Sequence, residues 1–321
     1  MPTRPSDEPT RSPALAPLRE LLDRHVIGHG DAKDALLLAL VCREHIYLEG
    51  PPGSAKTRMA ELAARGAGLG FFFYQMHRDT RLSELVGDIV IERRPLADAQ
   101  GERIHQAIEP GGILTAELCV LDDISRAPGE ALNVLLRVLN ERKFGERPIP
   151  LLTAIATSNP LRDEYYNEPL DPANLDRFAL QLRVSGLVQS GDRAQARELI
   201  DRFAEGSVLE QPEPPAVLGR GELDRLHAEL ARVEVLPAEK DRLVEFLRRL
   251  VVDYDCNETN SLLTDRSFLV KAVKLLRGRA LLAGRARVER GDLAVLSQMT
   301  TFRVPEEVQA KVPELIGEIT A

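Results

Sequence analysis

The 321-residue chain has no tryptophan, three cysteines, 4% aromatic residues and no hydrophobic run long enough to cross a bilayer. Each shortage removes a class of protein. Cys42, Cys119 and Cys256 are odd in number and widely spaced, which fits neither a disulfide framework nor a zinc site. They are expected to be inert thiols in a reducing compartment. The apolar run from Ala35 to Cys42 is far short of the roughly 18 residues a spanning helix needs, so no membrane segment is expected. No basic region followed by an apolar stretch and a cleavage site opens the chain, and the expected location is the cytoplasm. Positive charge is also in deficit: 42 Lys plus Arg against 50 Asp plus Glu leave −8, a poor electrostatic match for nucleic acid.

What remains is a globular chain, 44% hydrophobic and 29% charged, of about two domains at roughly 150 residues each. Residues 1–17, with Pro2, Pro5, Pro9, Pro13 and Pro17, read as a flexible tail. Over 18–186, short apolar runs alternate with helical patterns, which predicts an α/β lobe built on a parallel sheet flanked by helices. Strands are expected at Ile46–Leu48, Phe71–Tyr74, Leu118–Leu121, Leu151–Thr157 and Phe178–Val184. Over 187–321 the pattern turns to charged amphipathic helices, an all-α second domain, with helices near 192–204, 222–233, 238–254, 265–283, 290–299 and 306–319.

Gly50, Pro51, Pro52, Gly53, Ser54, Ala55, Lys56 and Thr57 follow the first strand and open a helix, the setting of a phosphate-binding loop. Its backbone N–H groups would face an anion, Lys56 would reach the β- and γ-phosphates, and the Thr57 hydroxyl would hold Mg²⁺. Ala55 stands where glycine is usual; an alanine there is expected at negative φ, as the first helical residue. A plain strand-to-helix turn is the bland alternative.

The third strand ends in Asp122 and Asp123, which the carboxyl edge of a parallel sheet places beside that loop. Asp122 suits Mg²⁺ and Asp123 suits orientation of the attacking water, although a solvated strand end or helix cap is the alternative. Asn159, after the fourth strand, offers a neutral amide at the same edge, for a γ-phosphate or the lytic water; alone it would be an Asn-Pro turn.

These residues resemble an AAA+ ATPase of the MoxR family, with resemblance running from about Leu18 to Ile316. Phosphate loops of that family commonly end Ala-Lys-Thr, as Ala55, Lys56 and Thr57 do here. Leu121 to Pro128 resembles the Walker B segment, and Leu175, Asp176, Arg177 and Phe178 the box bearing the arginine finger. Thr264, Asp265 and Arg266 resemble sensor 2 at the start of a lid helix, and Val26, Ile27 and Gly28 the adenine-side segment. Residues 87–108 fit the helix-2 insert, a hairpin. Asn140–Phe144 and the Thr-Asp-Arg element most resemble the RavA branch. Two departures stand out: His29 where the family often has Gln, and Asp123 where it generally has Glu. A carboxylate drawn back by about 1.5 Å would slow hydrolysis about 100-fold.

The resemblance implies a P-loop AAA+ core with a helical lid, ATP/ADP and Mg²⁺ as cofactors, and a homo-oligomeric ring, expected to be a hexamer. It further implies chaperone-like remodelling or activation of a client protein, with a von Willebrand factor A-domain protein as partner. The implied catalytic set is Asp123, Asn159, Arg177 and Arg266. Without the resemblance, Arg177 would read as a surface arginine paired with Asp176. A nucleotide-dependent scaffold with little turnover is the competing function, because Asp123 replaces Glu. A nucleic-acid motor is disfavoured: Arg277, Arg279, Arg285, Arg287 and Arg290 cluster, opposed by Glu289, without interleaved aromatics.

Overall fold

The computed structural model describes residues 12–95, 102–160, 170, 172–189, 191, 193–205, 214–263 and 265–321. In chain order the elements begin with α1 (Ala16–His25), α2 (Gly30–Cys42), β1 (Ile46–Glu49), α3 (Lys56–Gly66), β2 (Phe71–Gln75) and α4 (Leu82–Val86). Then come the hairpin β3 (Ile89–Pro95) and β4 (Glu102–Ile108), β5 (Leu118–Asp122) and α5 (Gly129–Glu141). The short hairpin β6 (Lys143–Phe144) and β7 (Arg147–Pro148), β8 (Thr153–Ser158), α6 (Pro172–Leu175) and β9 (Leu180–Arg183) complete the first lobe. The remainder is helical: α7 (Arg193–Ala204), α8 (Arg220–Glu229), α9 (Pro237–Val252), α10 (Asp265–Leu282), α11 (Val295–Thr300), α12 (Glu306–Gln309) and α13 (Val312–Thr320).

Five strands form one parallel sheet in the order β2-β5-β8-β1-β9. Alternation along each strand splits the apolar residues between two cores. Ile46 and Leu48, Leu118 and Val120 face a core shared with α1, α2, α3 and the lid helices. Tyr47, Cys119 and Leu121 face the other, filled by Leu135, Leu136 and Leu139 of α5. Because both faces are covered, the strands read as nearly continuous apolar runs.

The run that is too short for a membrane is α2, buried from Ala35 to Cys42 between the sheet and the lid. No helix among the described residues is long and apolar enough to cross a membrane. The lid packs directly on α2, and Gly278 permits the close approach of α10. A Cβ at Gly278 would lie 2.3 Å from Cys42 Sγ and 2.6 Å from Leu38 Cδ1. Burial raises the pKa of all three thiols, in keeping with inert cysteines.

Several expectations require correction. The segment expected to be a flexible tail through residue 17 is ordered from Ser12: Leu15 is wholly buried, Ser12 N donates to Leu282 O (2.8 Å), and α1 begins at Ala16. Pro17 falls in the first turn of α1, where a missing N–H costs nothing; residues 1–11 lie outside the described residues. The single helix expected over 306–319 is two, α12 and α13, with Pro313 in the first turn of the second. The arginine cluster is not a free basic face. Arg285 makes two bonds to the buried Asp292 (2.8 and 2.7 Å), Arg279 lies 3.9 Å from the same carboxylate, and Arg290 donates to Thr320 O. The hairpin within 87–108 is present as β3 and β4, although residues 96–101 lie outside the described residues.

Candidate functional site

Three neighbouring strands deliver the site. β1 runs into the loop Gly50–Ala55, β5 ends in Asp122, and β8, which separates them, ends at Ser158 with Asn159 following. Gly50 is required by close approach: a Cβ there would lie 2.3 Å from Val184 O. Gly53, at φ +80°, turns the loop, and no atom lies within 4 Å of where its side chain would stand. Ser54 Oγ closes the turn by donating to Pro51 O (2.8 Å), while Pro52 is exposed.

Ala55 corrects its expectation. It lies at φ 58°, ψ 17°, in the left-handed region, and caps α3 from outside rather than opening it. The loop needs a left-handed residue just before the helix to turn the chain into α3, and this sequence meets that need with a residue that carries a Cβ.

Lys56 is buried, and its Nζ donates to Gly50 O (2.7 Å) and Pro51 O (2.9 Å). The cation thus folds back over its own loop with neutral carbonyls as partners, the arrangement an incoming anion would exchange for charge pairing. Burial lowers its pKa, against Asp122, Asp123 and Glu49, which raise it.

Thr57 Oγ1 donates to Asp122 Oδ1 at 2.7 Å, so the residues from α3 and β5 meet across β8. Thr157, next to last on β8, donates to the same oxygen (2.5 Å) and fixes the carboxylate. Hydroxyl and carboxylate oxygens at contact distance fit a hard cation such as Mg²⁺. Among the described residues no cluster of three or more His, Cys, Asp or Glu could hold a metal, so phosphate oxygens and water would complete its shell, the usual Mg²⁺ arrangement.

Asp123 follows at φ 52°, where Asp is better tolerated than most residues. Its Oδ1 accepts from Asn159 Nδ2 (2.9 Å), its Oδ2 lies 3.6 Å from Arg126 Nε, and its N–H donates to Thr157 Oγ1 (3.3 Å). Its carboxyl is pushed above the usual aspartate range, first by burial; Arg126 opposes this and Asp122 adds to it. Asn159 therefore meets the acid expected to hold water.

On the adenine side, Val26 is buried and its carbonyl accepts from the buried Lys33 Nζ (2.6 Å), which also pairs with Asp23 (2.7 Å). Ile27 is half-buried, and Gly28, at φ +77°, lies against Leu187 and Gln195, which a Cβ would meet at 2.5 and 2.4 Å. The His29 pKa is lowered by burial, then by Lys33 and Lys56, which places its ring in the field of the phosphate-loop lysine.

Arg177 and Arg266 stand apart from these residues. Arg177 follows α6, and its buried Nε has no hydrogen-bond partner among the described residues. Nor does Asp176 serve as its partner: that carboxylate faces Lys271 (3.6 Å) and Arg303 (3.5 Å). Arg266 is exposed on the first turn of α10, with no hydrogen bond to the phosphate loop among the described residues. Thr264 lies outside the described residues. Sequence reading missed the roles of Thr157, Lys33 and Arg303, which depend on contacts between different elements; Arg126 was read only as part of the Walker B segment, and its pairing with Asp123 three residues earlier comes from the structure.

Residues 14–210 match the sequence model of a family described as the MoxR domain in the MoxR-vWA-beta-propeller ternary systems, and residues 242–311 match an AAA lid domain. Among similar proteins are Protein MoxR of Methylorubrum extorquens (25% identical, covering 95% of this chain and 86% of that protein) and Chaperone MoxR1 of Mycobacterium tuberculosis (29%, covering 71% and 56%). A crystal structure described as a putative ATPase from Cytophaga hutchinsonii superposes with a TM-score of 0.72 at 19% identity, covering 94% of this chain and 92% of that one. The latter shows the fold, a P-loop α/β lobe with a helical lid. With the family match spanning more than half its length, the chain belongs to the MoxR family of AAA+ ATPases.

Proposed function

We propose that the protein binds ATP with Mg²⁺ and hydrolyses it to ADP and phosphate in a homo-oligomeric ring, driving remodelling or activation of a client protein. The observation that carries this reading is the Thr57–Asp122 contact beside Lys56, with Asn159 and Asp123 at the same sheet edge. The loop amides and Lys56 would hold the β- and γ-phosphates, and Val26 and Ile27 the base. Bound Mg²⁺ would neutralise phosphate charge, held through Thr57 and Asp122. Asp123 would orient the water, Asn159 would fix Asp123, and its buried carboxylate would accept the proton.

No hydrogen bond or ion pair joins Arg177 to its own loop among the described residues; its buried Nε, unpartnered among those residues, supports a role toward the phosphates of a neighbouring subunit, with Arg266 on the lid as a further candidate. The family description supports a von Willebrand factor A-domain protein as partner, and similarity to a protein named a chaperone supports a protein client.

Asp123 favours a second reading, a nucleotide-dependent switch with little turnover, since the short acid is already engaged by Asn159. Steady-state ATPase activity of the wild type, Asp123→Glu and Lys56→Ala separates the two. Turnover by the wild type that Lys56→Ala abolishes supports the motor; an inert wild type with an active Asp123→Glu supports the switch.

A further inference from the structure

Among the described residues the largest buried side chain belongs to Arg303, in the lid just after α11, and it is 2% exposed. A buried guanidinium must find acceptors, and these come from both lobes. Its NH1 donates to Met299 O (2.9 Å) within the lid. Its NH2 crosses to the first lobe and donates to Phe178 O (3.0 Å) and Asp176 O (3.3 Å), the carbonyls on either side of Arg177. The same NH2 lies 3.5 Å from Asp176 Oδ1.

A second lid cation converges on the segment. Lys271, on α10, donates from Nζ to Asp176 O (2.5 Å) and lies 3.6 Å from Asp176 Oδ2. The Arg303 guanidinium carbon sits 6.0 Å from the centroid of the Phe268 ring, also on α10, which ties the two cations to one helix. Gln181, buried on β9, completes the set: Nε2 donates to Leu175 O (2.9 Å) and Phe178 O (3.2 Å), and Oε1 accepts from Phe302 N (3.1 Å) of the lid.

The carbonyls of Leu175, Asp176 and Phe178 are thus each held by a buried or part-buried side chain. Two of the three holders belong to the lid. Arg177 sits in the middle of this clamp, and its own buried Nε is left without a partner among the described residues. Two cations share one carboxylate, so the carbonyls are needed to satisfy the rest of their donors. That dependence makes the geometry of 175–178 sensitive to where the lid stands.

We infer that Arg303 and Lys271 are positioning residues that set the backbone carrying Arg177, so that lid position in one subunit governs the arginine it offers to the next. The inference rests on the proposed role of Arg177. An arginine acting on a transferring phosphoryl group must be placed to within about 0.5 Å, and a shift of about 1 Å costs on the order of 100-fold in rate. A lid that moves Asp176 and Phe178 by that much would switch the neighbouring site without touching it.

The test is a double-mutant cycle on ATP turnover by the assembled full-length protein, with Arg303→Met, Arg303→Lys, Lys271→Met and Arg177→Ala. Lys271 is only part-buried, so Lys271→Met keeps the test independent of whether Arg303→Met folds. The clamp predicts that Lys271→Met and Arg303→Met each lower kcat about tenfold or more, with KM for ATP within about twofold of wild type. Arg303→Lys, which keeps the charge but loses the second donor arm, is expected to fall between them and wild type. Each double variant with Arg177→Ala is expected to be no slower than Arg177→Ala alone. Losses that multiply with that of Arg177→Ala, or a rise in KM at unchanged kcat, overturn the clamp and leave the arginine reading standing. Full turnover in Arg177→Ala overturns the arginine reading and the clamp with it.

Discussion

Asn159 donates from Nδ2 to Asp123 Oδ1 across 2.9 Å, joining the end of β8 to the acid that follows β5. The acid is also drawn toward Arg126, 3.6 Å from its other oxygen. An aspartate held on both sides is poorly placed to reach a water, whereas a glutamate on the same backbone would reach about 1.5 Å further. Asp123→Glu is therefore expected to raise kcat by about tenfold or more, in a steady-state phosphate-release assay. A fall in kcat would contradict the geometry.

Burial holds the Asp123 carboxyl above the usual aspartate range, and its ionised form is the one that accepts a proton. Activity is lost as pH falls through this raised value, so the acid limb of kcat/KM should lie at higher pH than an exposed aspartate would give. Arg126 lowers the value, and removing it raises it further. Arg126→Ala is expected to shift the acid limb to still higher pH. A limb that stays put or moves down would show that Asp123 does not control it.

Ala55, at φ 58°, holds a conformation that costs a residue with a Cβ about 1 kcal/mol or more. Glycine removes that cost but adds flexibility to the unfolded chain. Ala55→Gly is expected to stabilise the protein slightly, by up to about 1 kcal/mol, or about 2 °C in the melting temperature. A loss of stability in thermal unfolding would count against strain at this position.

The same residue shows where sequence reading stops. A helix-opening alanine and a left-handed cap are written with the same letters, Ala-Lys-Thr, and only the path of the loop decides between them. The five strands were legible because each is an apolar run, buried on both faces except in the edge strand β2, and the observed ends differ by a residue or two. The placement of Lys56, Thr57, Asp122 and Asn159 together followed from motif order along a parallel sheet. Arg303 could not be read this way: its partners Asp176 and Phe178 lie more than a hundred residues earlier, and a lone arginine near Pro305 carries no motif. Likewise, five arginines close in sequence resembled a basic patch, but Asp292, buried beneath them, answers part of that charge.

The Thr57 hydroxyl is 2.7 Å from Asp122 Oδ1, and the two would share a divalent cation. Thr57→Val preserves shape while deleting the hydroxyl. The Mg²⁺ concentration for half-maximal activity is expected to rise about tenfold, measured at fixed nucleotide. An unchanged Mg²⁺ requirement would remove Thr57 from the cation site.

The central claim is that one subunit supplies the loop and its neighbour the arginine. It is tested most directly by mixing two variants of very low residual activity, Lys56→Ala and Arg177→Ala, in equal amounts and letting subunits exchange. With independent sites, random assembly leaves about a quarter of the interfaces with an intact loop facing an intact arginine, as expected for a head-to-tail ring. ATP turnover is predicted to rise from near zero toward about a quarter of the wild-type rate. Mixtures no more active than their components, despite demonstrated exchange, would contradict a site shared between subunits.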